Sequence, residues 1–494
     1  MAYKIIPKAI YNSSRAFTVA LLGCVILGAF SAFISLVLVQ NFSSPVFSYL
    51  LIALLGLVTF GPLAYRLTKR SFDLVEPSVW FALYYFTLFG IRAIWVLEFG
   101  SPILGIEAKT EDAGLINAAL VVATIGLGVF WLGYYLPFGR SMSRAVPKLP
   151  GVWKRSLGMP VAASCLAVGW VLRLFLIYNQ AGSLGSWLAL NKYEQMAQVE
   201  GITYLTIFSS LATTGLFVFL VLARVYNKRI YWLIFLCSSP LELLYWFFSG
   251  SRAQFIFFLL SVMVVFYMTS DRTHRTSLRY GLAAALFTLL LVFLFPLFSF
   301  IRGGLGELDL LLPRLETLWA QPLALLELVL TRQHGLDSLA IIMDRIPRYE
   351  PYALDWQLRL LIAAWIPRQL WPEKPTVSMG KILYQSMFPQ IFHLGTAVAG
   401  TLPGTLYWGY GYLGVLFGML FIGILWRFLR DYLVLPKGNL SNILVVAMVF
   451  QSFFIPAEQD MISLLTMHLP RFLLTAIVAI VLGRVKKYSP KGCG

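Results

Sequence analysis

Charge is what this sequence lacks. Of its 494 residues only 12% are Asp, Glu, Lys or Arg, about half the ~25% usual in soluble domains. Hydrophobic residues make up 59%. A water-soluble protein of this size has no interior able to hide that much apolar surface, so the composition excludes a soluble enzyme or regulator. Cysteine is scarce too. Cys24, Cys165 and Cys237 lie inside apolar runs and Cys493 in a basic tail. No spacing pairs them, which excludes a disulfide framework and a zinc knuckle. No Walker-type phosphate loop occurs, so ATP is not the energy source.

What the sequence has is long apolar runs. Read at the ~20-residue spanning length, they predict an all-α polytopic membrane protein with about twelve transmembrane helices. These fall at 17–39, 46–65, 77–97, 113–136, 159–178, 204–223, 230–248, 253–269, 278–300, 404–427, 440–457 and 464–482. The first run, Phe17 to Val39, is too long for a signal-peptide core and is expected to be retained. The chain then divides into helices one to nine (1–300), a long connection (301–403), and helices ten to twelve with a basic tail (404–494), all within one membrane domain.

The basic residues orient it. With the N-terminus cytoplasmic, inner segments hold 24 of the 39 Lys and Arg, against three (Lys109, Lys192 and Arg252) in the short outer loops. The positive-inside rule counts short loops, so both termini are expected on the cytoplasmic side. The formal charge of +17 is thus accounted for by membrane topology, and no nucleic-acid partner is expected. The 301–403 connection falls outside. Long ordered connections are usually functional. Within it, 314–330, 336–346 and 356–366 have helical apolar spacing but are too short to span, and read as amphipathic helices on or dipping into the outer face.

Candidate site residues follow from cost. Arg92, Arg173 and Arg471 lie within spans, where a cation costs ~2.5–3.5 kcal/mol on the mildest scale. All three fall toward the outer end, roughly 8–10 Å from the exit at 1.5 Å per residue. Arg252 and Arg302 stand at the outer ends of spans eight and nine, in Ser249-Gly250-Ser251-Arg252 and Ser299-Phe300-Ile301-Arg302-Gly303-Gly304. One reading is snorkelling to the headgroups. The other is a cationic cluster for a lipid phosphate or pyrophosphate, which guanidinium binds as a bidentate fork.

The long connection adds Thr331-Arg332-Gln333-His334-Gly335-Leu336-Asp337, with a base, an acid and a cation within seven residues. His334 and Asp337, three apart, share a helix face. His334 supported by Asp337 is the expected proton acceptor, and Arg332 a phosphate or sugar contact. The bland alternative is a helix cap. Arg368 and Lys374 are held by prolines in Ile366-Pro367-Arg368-Gln369-Leu370-Trp371-Pro372-Glu373-Lys374-Pro375, and His393 precedes Gly395-Thr396. Glu307-Leu308-Asp309 resembles the acid-x-acid pair with which some sugar-transferring membrane enzymes hold a divalent cation. Those enzymes carry it in their first outer loop, which here has no carboxylate, so no metal and no cofactor are expected.

Together, the span number, the tight Ser-Gly-Ser-Arg hairpin, the Arg-Gly-Gly exit, the 366–375 stretch and Gly409-Tyr410-Gly411-Tyr412-Leu413-Gly414 resemble the Wzy-type oligosaccharide repeat-unit polymerases. The motifs cover roughly 240–425, and the rest matches by architecture alone. The resemblance implies the C-type glycosyltransferase membrane fold and a location in the bacterial inner membrane. It also implies polymerisation of O-antigen or exopolysaccharide units carried on undecaprenyl pyrophosphate, beside a chain-length-regulating co-polymerase. Two rival readings stay open: a lipid-linked glycan ligase of the same fold, and a flippase of the lipid-linked unit.

Overall fold

The computed structural model describes residues 42–69, 72–190 (apart from 102, 108 and 111) and 203–270 (apart from 250). It also describes 333–364, 366, 370–371, 373–375, 379–387 and 398–483, apart from 437 and 454. The expected spans at 17–39 and 278–300 and the expected helix at 314–330 lie outside these residues.

Eight helices among the described residues are long and apolar enough to cross a membrane. They are α1 (Pro45–Thr68), α2 (Pro77–Phe99), α3 (Gly114–Tyr135), α5 (Arg155–Ala181), α6 (Tyr204–Tyr226), α7 (Arg229–Phe248), α12 (within Leu402–Val434) and α14 (Met461–Leu482). Shorter helices are α4 (Pro137–Ala145), α8 (Arg252–Thr269), α9 (Gly335–Arg345), α10 (Leu354–Ala364), α11 (Met379–Met387) and α13 (Leu440–Val449). The only β-type pairings among the described residues are two isolated bridges. The chain is a helical polytopic membrane protein.

Local signals set the helix starts. The Ser44 hydroxyl accepts from Val46 N, with Pro45 at the first helical position of α1, and Asn439 caps α13 in the same way. Asp460 caps α14 by accepting from Ser463 N at 2.7 Å. Between α7 and α8 only residues 249–251 intervene, the tight hairpin expected from Ser-Gly-Ser-Arg.

Two apolar cores result. One joins α1, α2, α3, α9 and α12 through Leu55, Phe81, Phe89, Phe130, Leu339 and Trp426. The other joins α6, α7, α8, α13 and α14 through Phe217, Leu220, Phe235, Val265, Leu444 and Leu482. In a bilayer the hydrophobic effect does not drive helices together, so close backbone approach must. A Cβ on Gly423 would lie 2.0 Å from the Phe130 carbonyl, and one on Gly133 2.1 Å from the Leu420 carbonyl. Only glycine fits there.

Two expectations need correction. The tenth span is not a helix entering at 404. Tyr410 (φ −153°, ψ 31°) and Gly411 (φ 59°, ψ −146°) break it. A Cβ on Gly414 would lie 2.1 Å from the Leu406 carbonyl oxygen, whereas eight residues of straight helix span about 12 Å. The chain therefore reverses at 410–411. Residues 402–409 form a half-helix that begins roughly 13 Å below the turn and packs on the crossing helix.

The eleventh span is also discontinuous. α13 is only 10 residues long, followed by 3-10 turns at Phe450–Phe453 and Ile455–Ala457. Trp426 Nε1 donates to the Phe453 carbonyl at 2.9 Å, satisfying backbone the helix no longer pairs. Of the two arrangements open to α9, lying on the outer face or dipping inward, its burial matches the second. Gly335 to Ala340 and Ile342 are buried, and Leu336, Leu339, Ala340 and Ile342 are part of the first core.

Candidate functional site

The first polar cluster sits where α2 meets α9. A π-helical turn, Thr87–Ile91, precedes Arg92. Such turns often mark functional positions. Arg92 Nε donates to Asp337 Oδ2 at 2.8 Å and Nη2 to Oδ1 at 2.9 Å. The Ser101 hydroxyl also donates to Oδ1. Both charged side chains are buried. This corrects two expectations. Asp337 is the counter-ion of Arg92, with both oxygens engaged, and is not held in reserve for His334. Arg92 in turn spends its fork on a carboxylate and does not offer it to a phosphate.

His334 stands at the head of α9, half-buried, with its carbonyl accepting from Ser338 N at 2.8 Å. Its side chain makes no capping bond. The half-helix of α12 starts nearby, since Gly335 packs against both Leu88 and Thr401. Thr401 has φ 57° and ψ 154°, a conformation that costs a non-glycine residue about 1–3 kcal/mol. Hydrogen bonds hold it there. Its N–H donates to the Glu458 carbonyl at 2.9 Å, its hydroxyl accepts from Gly404 N, and its carbonyl accepts from Thr405 N.

The Glu458 carboxylate accepts from the Tyr84 hydroxyl, which also bonds the Gln333 side chain. Burial pushes the Glu458 carboxyl above the usual carboxylate range, and the Tyr84 bond offsets only part of that shift. Asp460, two residues on, is raised by burial too, against hydrogen bonds from Ser463. Sequence reasoning missed Glu458 and Asp460, although they form an acid-x-acid pair. They sat in a span-to-span connection that looked ordinary.

The second cluster lies between α5 and α7. Arg173 Nη1 donates to Glu242 Oε2 at 2.5 Å and Nη2 to Oε1 at 2.9 Å. Thr213 and Trp246 Nε1 also donate to Oε1. The guanidinium lies over the Tyr245 ring, 4.3 Å from its centroid, and 5.1 Å from that of Trp170. Arg173, like Arg92, is a neutralised structural cation, which corrects its expected phosphate role. Glu242 was the unseen partner.

Arg471 differs. In α14 it is ten residues from Met461 and eleven from Leu482, so it sits near mid-helix, deeper than expected. Among the described residues no carboxylate pairs with it, and its enclosed Nε makes no hydrogen bond. One turn before it, His468 Nδ1 is 2.7 Å from the Ser452 hydroxyl and Nε2 3.4 Å from Gln459 Oε1.

Lys374 is not brought into these clusters. Lys374 Nζ donates to the Ile366 carbonyl at 2.9 Å within its own loop. Arg302, Arg332, Arg368 and His393, and the side chain of Arg252, lie outside the described residues, as do Glu307 and Asp309.

A third network ties the opposite end of the bundle. Glu76, in the α1–α2 connection, takes Arg66 and Arg430 as ion partners and accepts from Tyr134. Burial pushes its carboxyl up. Arg66, Arg430 and the Tyr134 bond outweigh this and hold it below the usual range. No family model matches the chain, and neither a curated protein nor a solved structure matches it.

Proposed function

We propose that this protein polymerises undecaprenyl-pyrophosphate-linked oligosaccharide repeat units at the outer face of the bacterial inner membrane. In that reaction an acceptor hydroxyl of a new unit attacks the anomeric carbon of the donor glycan. The bond to the lipid pyrophosphate breaks, and the pyrophosphate leaves with its electron pair. The hydroxyl proton needs an acceptor and the departing charge needs fixed cations. His334 is assigned the first role. Arg302, Arg252, Arg332 and Arg368 are assigned the second. Asp337 and Arg92 act through position, by locking the first turn of α9, on which His334 stands.

One observation carries this reading. α9, from the long connection, packs into the first core, and the half-helix 402–409 starts beside its head, so that both set polar residues among the apolar helices. A lipid-linked donor presents its reacting bond close to the membrane, where a pendant outer domain would not reach it. A second reading, transport of the same lipid-linked unit, is favoured by the discontinuous α12, because transporters build substrate sites from broken helices. A ligase differs from the polymerase only in acceptor.

The test is a purified preparation incubated with synthetic undecaprenyl-pyrophosphate repeat unit, with products sized on a gel. A ladder of lengths is expected, lost in His334→Ala. No ladder, with units instead moved across vesicles, selects the transporter. In cells lacking the protein, single-unit surface glycan is expected. Free lipid-linked polymer would indicate a ligase instead.

A further inference from the structure

Arg471 borders a cavity of about 50 Å³ between α6, α7, α8, α13 and α14. By the usual minimum per molecule that is space for about four waters. Its polar lining residues are Arg471, Gln254, Thr206, Ser210, Thr213 and Ser261, and its apolar ones include Phe217, Phe257, Phe258 and Met448. Trp246 and Thr213 form the wall behind which Glu242 lies, and both donate to that carboxylate.

The charge balance decides what this cavity takes. Arg173 and Glu242 neutralise one another through two direct bonds. Glu242 Oε1 also accepts from Thr213 and Trp246, and among the described residues no ion pair joins Glu242 to Arg471. Arg471 therefore contributes a full positive charge with no described counter-ion. It lies roughly 15 Å from either end of its helix, too deep for its side chain to snorkel to the headgroups. An uncompensated charge at that depth is among the costliest features a membrane protein carries, and an anion in the cavity removes the cost.

We infer that this cavity is a binding site for a single phosphate group, held by the Arg471 fork and the Gln254 amide. Guanidinium presents parallel N–H donors matched to phosphate oxygens, and Gln254 adds a neutral donor from another helix. The hydroxyls of Ser210 and Ser261 donate to the Ile207 and Ala447 carbonyls, and both are rotors able to turn toward an oxyanion. The volume is on the scale of one small polar group. The site lies in the second core, apart from the Arg92–Asp337 cluster in the first. It does not depend on the transferase reading. The same chemistry arises from a lipid phosphomonoester or from free inorganic phosphate.

Thermal unfolding of the purified full chain in neutral detergent tests it, with three probes at matched ionic strength. These are dioctanoyl phosphatidic acid, dioctanoyl glycerol with the same chains and no phosphate, and inorganic phosphate. A saturable rise in Tm of roughly 2–4 °C is expected with the phosphatidic acid and none with the diacylglycerol. An equal rise with inorganic phosphate assigns the free anion as ligand, and a rise with the lipid alone assigns the headgroup. Arg471→Gln should abolish the shift. Arg471→Lys, which keeps the charge but loses the fork, should weaken half-saturation about tenfold. Gln254→Leu should weaken it with Arg471 intact, so the site is tested even where Arg471→Gln fails to fold. No rise with either phosphate probe overturns the inference and leaves a hydrated arginine. A rise that persists in both Arg471→Gln and Gln254→Leu overturns it as well.

Discussion

Arg92 and Asp337 are 245 positions apart in sequence and meet through two parallel hydrogen bonds of 2.8 and 2.9 Å. The contact fastens the first turn of α9 to the span that carries Arg92, with Ser101 taking part from the loop beyond it. Geometry of this quality matters because both charges are buried. A buried pair gives little net stability over an apolar replacement, yet breaking it exposes the full desolvation cost of the survivor.

Arg92→Gln and Asp337→Asn should therefore each destabilise the protein by about 3–5 kcal/mol. The double change Arg92→Met with Asp337→Leu should cost far less than the sum. Unfolding of the four proteins in a double-mutant cycle measures the coupling. Additive losses would mean that the two side chains do not act as a pair.

Glu76 predicts an acid limit. Its carboxyl is held below the usual range by Arg66, Arg430 and Tyr134 against the opposing effect of burial. A depressed folded value means that its contribution is complete above the ordinary carboxylate pKa and is lost as pH falls through the lowered one. Glu76→Gln should lower Tm at neutral pH and flatten the acid limb. A curve parallel to wild type across the acid range would contradict this.

Glu458 predicts the reverse. Its folded value is raised by burial, so stability from the protonated form is full below the ordinary carboxylate value and lost as pH rises through the raised one. Gln keeps an acceptor for the Tyr84 hydroxyl without the charge. Glu458→Gln should match wild type in acid and exceed it at alkaline pH, as read by Tm against pH.

The reversal in α12 is testable by size alone. Gly414→Val places atoms where the Leu406 carbonyl lies and should abolish folding or insertion, whereas Gly61→Ala, with nothing within 4 Å of the new Cβ, should be neutral. Equal yields of folded protein from both variants, by size-exclusion chromatography, would rule out the close approach.

Sidedness follows from the loop charge bias. Accessibility tags within 301–403 should report the exterior, and tags at both termini the cytoplasm. An exterior C-terminus would change the span count.

Composition and periodicity determined the membrane class, most of the spans, the 249–251 hairpin and the helices near 336–346 and 356–366. Each depends on local information: the apolar length needed to cross hydrocarbon, the residues that cap or break a helix, and the spacing that gives one apolar face. The sequence also singled out Arg92, Arg173 and Arg471 as costly, since a charge in a span is visible in one dimension. It did not disclose which of them were neutralised. Asp337 and Glu242 are 245 and 69 positions from their arginines, and Coulomb pairing depends on separation in space, which folding alone sets. The half-helix was hidden for a similar reason. The run from 402 to 426 carries no charge, so hydropathy is the same whether the chain crosses once or turns back. Only the packing of Leu406 on Gly414 and Gly418 decides that it turns. Tertiary structure thus separated three similar-looking arginines into two structural ion pairs and one cation left facing a cavity.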